Sequence, residues 1–317
     1  LASVFRGMTY YIGGSIDVSQ DAPKDPRFIL TNANVVDGNF VYSSSSKKSR
    51  HTVALVRYND KLNNYNPAVE YIEDPEGIRK YGLVQRDVTA IGCASRGQAF
   101  RLGKWILTTE RTETETVNFQ MGMEAQYYRP GDVIKIFDEN KTKKRYSGRT
   151  LKTEIYDYPN ASGAVITLDR KIPLHNYETY KFSLATPTYS YESSLVNKSS
   201  DFNSTNISGL KRGAIQEIYF TGGPTTISHN NGLTTMYFTG DSYTGAGMNQ
   251  FNTGEYSVTN NLIFAIEQSG NIADNCEFEL YKVIRVEEQD SSLYNIFAMQ
   301  HNSGKFDIIE TGLSFES

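Results

Sequence analysis

Alternation of apolar and polar positions runs along most of the chain and predicts strands from its first residues to its last. YYIGGSIDV (10–18) holds two short β-prone runs around a Gly-Gly turn, and FVYSSSS (40–46) is a strand that runs into a polar loop. DAPKDPRF (21–28) between them is punctuated by Pro23 and Pro26 and reads as a loop. In HTVALVRYN (51–59), Val53, Leu55 and Arg57 oppose Ala54, Val56 and Tyr58. Both faces are largely apolar, so this strand is expected to be covered on each side. The next segment is dense with carboxylates. AVEYIEDPEG (68–77) is expected to be an exposed connection with a turn at DPEG, and GLVQRDVTAIG (82–92) to be a further strand.

The period then changes from two to between three and four. In ASRGQAFRLGKWILTTER (94–111), Ala99, Leu102 and Ile106 recur at helical spacing, with Phe100, Gly103 and Leu107 alongside. Ser95 and Gln98 stand at capping-box spacing. This predicts a helix with a broad apolar stripe lying on a sheet, weakened by its two glycines by roughly 1 kcal/mol each. Strands resume at ETVNFQMGM (115–123), YYRPGDVIKIFD (127–138), GAVITLD (163–169) and TYKFSLA (179–185). From about 187 to 261 Ser, Thr, Asn and Gly dominate, and short apolar patches survive at AIQEIYF (214–220) and TTMYFTG (234–240). That stretch reads as a β-rich insertion with long loops, a place where partners bind or a decorated spacer. NLIFAIEQ (261–268), CEFELYKVIRVEEQD (276–290) and SLYNIFAMQHN (292–302) alternate well, with EEQDSS as a hairpin tip, and GKFDIIETG (304–312) is expected to be the final strand.

Composition supports a mainly β reading. The chain has 317 residues, 38 % of them hydrophobic, with 22 Tyr and 16 Phe. Its net charge of −4 gives no basic footprint for duplex nucleic acid. KTKKR (141–145) reads as a solvated hairpin tip. Cys93 and Cys276 form no CxxC motif and leave one bridge open, and the four His are scattered, so a zinc site is poorly supported. Asn-x-Ser/Thr triplets at Asn140, Asn160, Asn197, Asn203 and Asn206 are expected by chance in so Asn-rich a chain. No apolar run is long enough to span a membrane. The chain begins at Leu1 and is expected to be an excerpt of something longer.

Candidate chemistry is sparse. GQAFRLGK is one residue too long for a phosphate-binding loop and lies inside the expected helix. Two carboxylates at fixed separation would suit glycoside hydrolysis. Yet Glu70, Glu73 and Asp74, like Glu287, Glu288 and Asp290, sit in turn-like segments with no apolar pocket around them, which favours a solvated face. His51 and His301 read as capping or surface groups, and the stripe around Trp105, Ile106 and Leu107 as a face resting on its own sheet. Tyr10, Tyr11, Tyr58, Tyr65, Tyr71, Tyr81, Tyr127 and Tyr128 offer amphipathic surface of the kind enriched at interfaces. No catalytic, cofactor-binding or metal-binding set emerges.

Several segments, taken in order, resemble the tip attachment or host-specificity protein J family of lambda-like long-tailed phages. They are RHTVALVRYND, AVEYIEDPEGIRKYG, CASRGQAFRLGKWIL, YRPGDVIKIFD with SGR at 147–149, and YKVIRVEEQDSSLYNIFAMQHNSGKFDIIETG. The resemblance covers about 1–185 and 262–317. It implies two tail-tube-like hub domains built as β-barrels or β-sandwiches, the second with a flanking helix and a β-rich insertion. The expected division is 1–92 for the end of the first domain with its linker, 93–186 and 262–317 for the second with helix 94–111, and 187–261 for the insertion. It also implies a virion protein at the tail tip, assembled in the host cytoplasm, and a homotrimeric ring that closes the tail tube. Its partners would be other tail-tip, tube and distal tail proteins, a host surface receptor reached through the insertion or parts outside this chain, and phage DNA in transient passage without specific binding. Acidic groups are expected to face the channel, since like charge keeps DNA from sticking. Glu70, Tyr71, Glu73, Asp74, Arg79 and Tyr81 are then expected to form a seam between domains or subunits. The rival functions are a tail-associated glycan hydrolase and a carbohydrate-binding module in the insertion.

Overall fold

The computed structural model describes residues 6–12, 14–143, 146–158, 161–174, 179–185, 215–220, 226–239, 261–269, 278–289 and 292–310. The chain is mainly β, as its alternation implies, with a minor helical part. Strands β1 (Gly7–Ile12) and β2 (Ser15–Gln20) form a hairpin across the Gly-Gly turn, where Gly14 takes a φ of 85°. Most of the remaining strands build two large sheets.

The first large sheet has six strands, ordered β3 (Phe28–Thr31), β9 (Val133–Phe137), β17 (Glu279–Glu288), β18 (Tyr294–Gln300), β8 (Glu115–Met121) and β4 (Val41–Ser44). Every neighbouring pair is antiparallel except β3 and β9, and the short helix α3 (Glu139–Thr142) follows β9. Leu30, Phe119, Ile134, Tyr281 and Ile296 are central to its core. The β17–β18 hairpin appears where EEQDSS predicts it, although Asp290 and Ser291 lie outside the described residues.

A second, wholly antiparallel sheet has seven strands. Their order is β13 (Ile215–Phe220), β12 (Thr179–Ala185), β16 (Ile263–Ser269), β10 (Ser147–Tyr158), β11 (Ala161–Leu168), β15 (Leu233–Thr239) and β14 (Thr226–Asn230). The described parts of the expected insertion therefore join a sheet with β10, β11, β12 and β16. Phe182, Phe264, Leu168 and Met236 fill its core. The two large sheets meet through Ile29, Phe137, Ile263 and Ala265, beside a buried Lys135–Glu267 ion pair of 3.1 Å. Nη2 of Arg149 also donates to the Ala33 carbonyl across that junction, at 2.9 Å.

A three-stranded sheet, β6 (Asn66–Glu73), β5 (Val53–Asp60) and β7 (Gln85–Thr89), carries the long helix α2 (Arg96–Thr112). Ser95 caps the helix by accepting the Gln98 amide, as its spacing predicts. Ala54, Val56, Tyr58 and Ile72 pack against Ala99 and Leu107. Gly103 is what allows this approach: a Cβ there would lie 2.7 Å from Ile72 Cδ1 and 3.2 Å from Val56 Cγ2. The glycine that weakens the helix by propensity is thus required by its packing.

Four expectations need correction. First, β5 is fully covered on one face only; on the other, Val53 is buried, Leu55 half-buried and Arg57 exposed. Second, AVEYIE is strand β6, paired along its length with β5, and not an exposed connection. Its inward positions are Ala68, Glu70 and Ile72, so a buried carboxylate interrupts the apolar alternation that would have marked it. Third, DPEG opens helix α1 (Pro75–Tyr81): Pro75 fills the first turn, where no amide donor is needed, and Gly82 ends it at a φ of 81°. Fourth, GKFDIIE is not a strand but helix α4 (Lys305–Glu310), which buries Phe306 and Ile309 three residues apart. β3 and β4 belong to the six-stranded sheet with strands far along the chain, and α2 packs on β5 and β6. Such long-range pairings leave no mark in local periodicity.

Candidate functional site

The carboxylate-rich segment divides into groups held by α2 and groups left outside. Glu70 is buried and accepts from Arg96 Nε with both oxygens, at 3.1 and 2.9 Å. Asp74 pairs with Arg111 Nε at 3.1 Å, and Arg111 also pairs with Glu76. Arg96 opens α2 and Arg111 stands in its last turn, so these carboxylates tie both ends of the helix to β6 and α1. Arg79 folds back onto the Pro75 carbonyl at 3.3 Å. Tyr81 accepts from Arg50 at 2.9 Å, while Lys80 and Arg50 hold its phenol below the usual tyrosine range. Tyr71 points outward, 53 % exposed, and donates to Glu73 at 3.1 Å, which raises its own pKa.

The six expected seam residues therefore do not converge on one point. Glu70 and Asp74 are held inside the three-stranded unit, and Tyr81 lies against Arg50. What β6 presents to solvent is Val69, Tyr71 and Glu73, at alternate positions on the face away from α2.

A second constellation is absent from the sequence reading. Asp21 leaves the β1–β2 hairpin and lies buried between two lysines: Lys282 of β17 at 2.7 Å and Lys305 of α4 at 2.7 Å. Trp105 of α2 donates its indole N–H to the same carboxylate at 2.9 Å. Lys305, fully buried, reaches on to Glu113 at 2.8 Å. Glu113 also accepts the Asn302 amide at 3.1 Å and has His301 Nδ1 at 3.5 Å. Burial alone would raise the Asp21 pKa, but Lys282 and Lys305 outweigh it and hold the carboxyl down at about 2. Burial opposes ionisation of Glu113 too, and His301, Lys305 and the Asn302 amide hold it below the usual range. Two carboxylates and two ammonium groups balance in a buried junction of hairpin, helices and sheet. No periodicity could have announced it, since its members lie up to 284 residues apart.

Beside this junction opens a cleft of about 600 Å³ between α2, β7 with the loop that follows it, the β1–β2 hairpin and strands β17 and β18. Leu102, Trp105, Val88, Ile91 and Met8 supply apolar walls, and Arg6, Arg86 and Arg101 supply cations. Arg86 is held by Glu110, which also accepts from the His51 backbone amide and lies 2.8 Å from His51 Nδ1. His51 is thus half-buried in an ion-paired corner, and His301 is buried beside Phe306 instead of at the surface. Trp105 lines the cleft, while Leu107 takes the place on the sheet. Of the eight tyrosines expected at interfaces, Tyr58 and Tyr128 are core residues, and Tyr128 stacks on Phe28 at 4.1 Å. Gly97, Gly103 and Lys104 lie within α2, so GQAFRLGK forms no phosphate loop. Glu287 is exposed and paired with Arg285 at 3.2 Å. Cys93 is a free thiol bordering the cleft. Cys276, Asn160, Asn197, Asn203 and Asn206 lie outside the described residues. Among the described residues, no three His, Cys, Asp or Glu side chains converge as a metal site would require.

Comparison with known proteins accounts for about half of the chain. Residues 1–151 match the family described as "Putative phage tail protein". The chain is 38 % identical over 155 residues to the tip attachment protein J of Escherichia phage SECphi27, and 35 % identical over 141 residues to that of Escherichia phage SECphi4. These alignments take in 48 % and 44 % of this chain but only 13 % and 12 % of the relatives' own lengths. A solved chain titled "Virion of native gene transfer agent (GTA) particle" aligns over 49 % of this chain and 30 % of its own, at 11 % identity and a TM-score of 0.32, too low to bear on the fold.

Proposed function

We propose, from the phage-tail family match over residues 1–151 and the similarity of about half of the chain to tip attachment proteins J, that the protein is a structural component of a phage tail tip. The observation that carries this reading is the 38 % identity over 155 residues to a tip attachment protein. The site chemistry fits it. The segment richest in carboxylates holds α2 in place, where an acid/base pair would need a pocket and a substrate-facing oxygen. The outward face of β6 and the cleft beside β7 are suited to contact with other protein surfaces.

The finer reading follows from the same resemblance. Copies of the chain assemble around the tail axis as a homotrimeric hub that closes the tube. They contact tube and distal tail proteins, and they move when the receptor is engaged so that DNA leaves. The acid excess turned towards the channel keeps DNA from adhering. The outward residues Val69, Tyr71 and Glu73 form one side of a seam between subunits. The seam is tested by replacing Tyr71 with Ala and Glu73 with Gln together, both outward-facing positions, which should impair assembly of the chain. The tail-tip reading is tested by deleting the coding region from the phage: particles should then lack a completed tail tip and fail to infect. Normal tails from the deletion would overturn it.

A further inference from the structure

The cleft beside α2 adjoins an open sheet edge. β7 pairs only with β5, so among the described residues its second edge carries no strand, and Arg86, Val88 and Thr89 of β7 line the cleft. The opposite wall is the apolar side of α2, with Leu102 and Trp105. A slot between an open sheet edge and an apolar helix side fits an extended segment, whose backbone would complete the ladder while alternate side chains enter the apolar wall. Its electrostatics define the segment further. Four cations line the slot, Arg6, Arg86, Arg101 and Lys282, against two carboxylates, Asp21 and Glu110. Arg86 is held by Glu110 and Lys282 by Asp21. Arg101 has no hydrogen-bonded or ion-paired partner among the described residues. The slot therefore fits an extended strand that bears exposed apolar side chains and an acid.

The chain carries such a strand. β6 is the other open edge of the same three-stranded sheet, and it exposes Val69, Tyr71 and Glu73 in alternation. We propose that the slot receives β6 of a second copy of this chain, with Tyr71 and Val69 against the apolar wall and Glu73 meeting Arg101. Donor and acceptor are different surfaces, so the contact is head-to-tail. It repeats from copy to copy and closes into a ring if the rotation allows. This deepens the subunit-seam reading above by naming the surface that β6 meets.

Charge exchange in the full chain tests it. Arg101→Glu or Glu73→Arg alone should weaken self-association by about ten-fold or more, measured by sedimentation velocity, because each sets like charges against one another. The double variant should recover wild-type association. In a Cys276→Ser background, Tyr71→Cys should give a ladder of covalently linked chains under mild oxidation through the native Cys93, and Cys93→Ser should abolish that ladder. A chain that stays monomeric at all concentrations, single exchanges without effect, or a double exchange that restores nothing would overturn the proposal. Presence of the protein in purified particles decides the tail-tip reading separately.

Discussion

Lys305 Nζ lies 2.7 Å from Asp21 Oδ2, which joins the last described helix to the loop after the first hairpin. Both side chains are buried, and the same ammonium group reaches Glu113 at 2.8 Å. Replacing Lys305 with Met keeps the bulk but leaves two carboxylates facing one remaining lysine. Breaking one partner out of a buried ion cluster costs about 3–5 kcal/mol. The denaturant midpoint of Lys305→Met should fall accordingly, with the slope of the transition unchanged.

The same junction sets an acid limit. Asp21 ionises at about 2 in the folded chain, against 3.8 for the ordinary carboxyl. A depressed folded value contributes stability above the unfolded pKa and loses it as pH falls through the folded one. Stability should therefore drop between about pH 4 and pH 2, by about 2 kcal/mol from Asp21, and Glu113 adds in the same direction. Asp21→Asn should be less stable at neutral pH and show a flatter dependence across that window, measured by denaturation at a series of pH values.

How much of this was open to sequence reading depends on the range of the interaction. Helix α2 was legible to within two residues, because its stripe and its Ser95 cap are local. Strand β6 was hidden by Glu70, whose burial makes sense only once Arg96 is placed above it. Helix α4 was mistaken for a strand, because KFDIIE is too short to show a period and its partners lie on distant elements. The Asp21 junction was invisible for the same reason. Among the residues expected to form a seam, only the fold separates Glu70 and Asp74, which are bound to α2, from Tyr71 and Glu73, which are exposed.

Gly103 tests the packing of α2. Gly103→Ala would gain about 1 kcal/mol of helix propensity. It would also push a methyl group to within 2.7 Å of Ile72 Cδ1 and 3.0 Å of Ile72 Cγ1. Overpacking costs about 1–3 kcal/mol. The single variant should melt lower than wild type, and adding Ile72→Val, which removes the crowded methyl, should recover part of the loss.

The tie at the start of α2 is predicted to be weak. Arg96 is largely exposed although Glu70 is not, and pairs open to solvent contribute less than about 1 kcal/mol. Arg96→Ala should thus shift the thermal midpoint by only a few degrees, far less than Lys305→Met. A larger loss for Arg96→Ala would mean that the ion pair, and not the Gly103 contact, holds the helix to its sheet.

Whether this chain is built into a phage tail tip is decided by antibody labelling of intact particles, read by electron microscopy and paired with peptide detection in the same purified preparation. Label should be confined to the distal end of the tail, with peptides from this chain present in the particles. Purified, infectious particles that lack those peptides, or label spread along the tube or over the head, would contradict that placement.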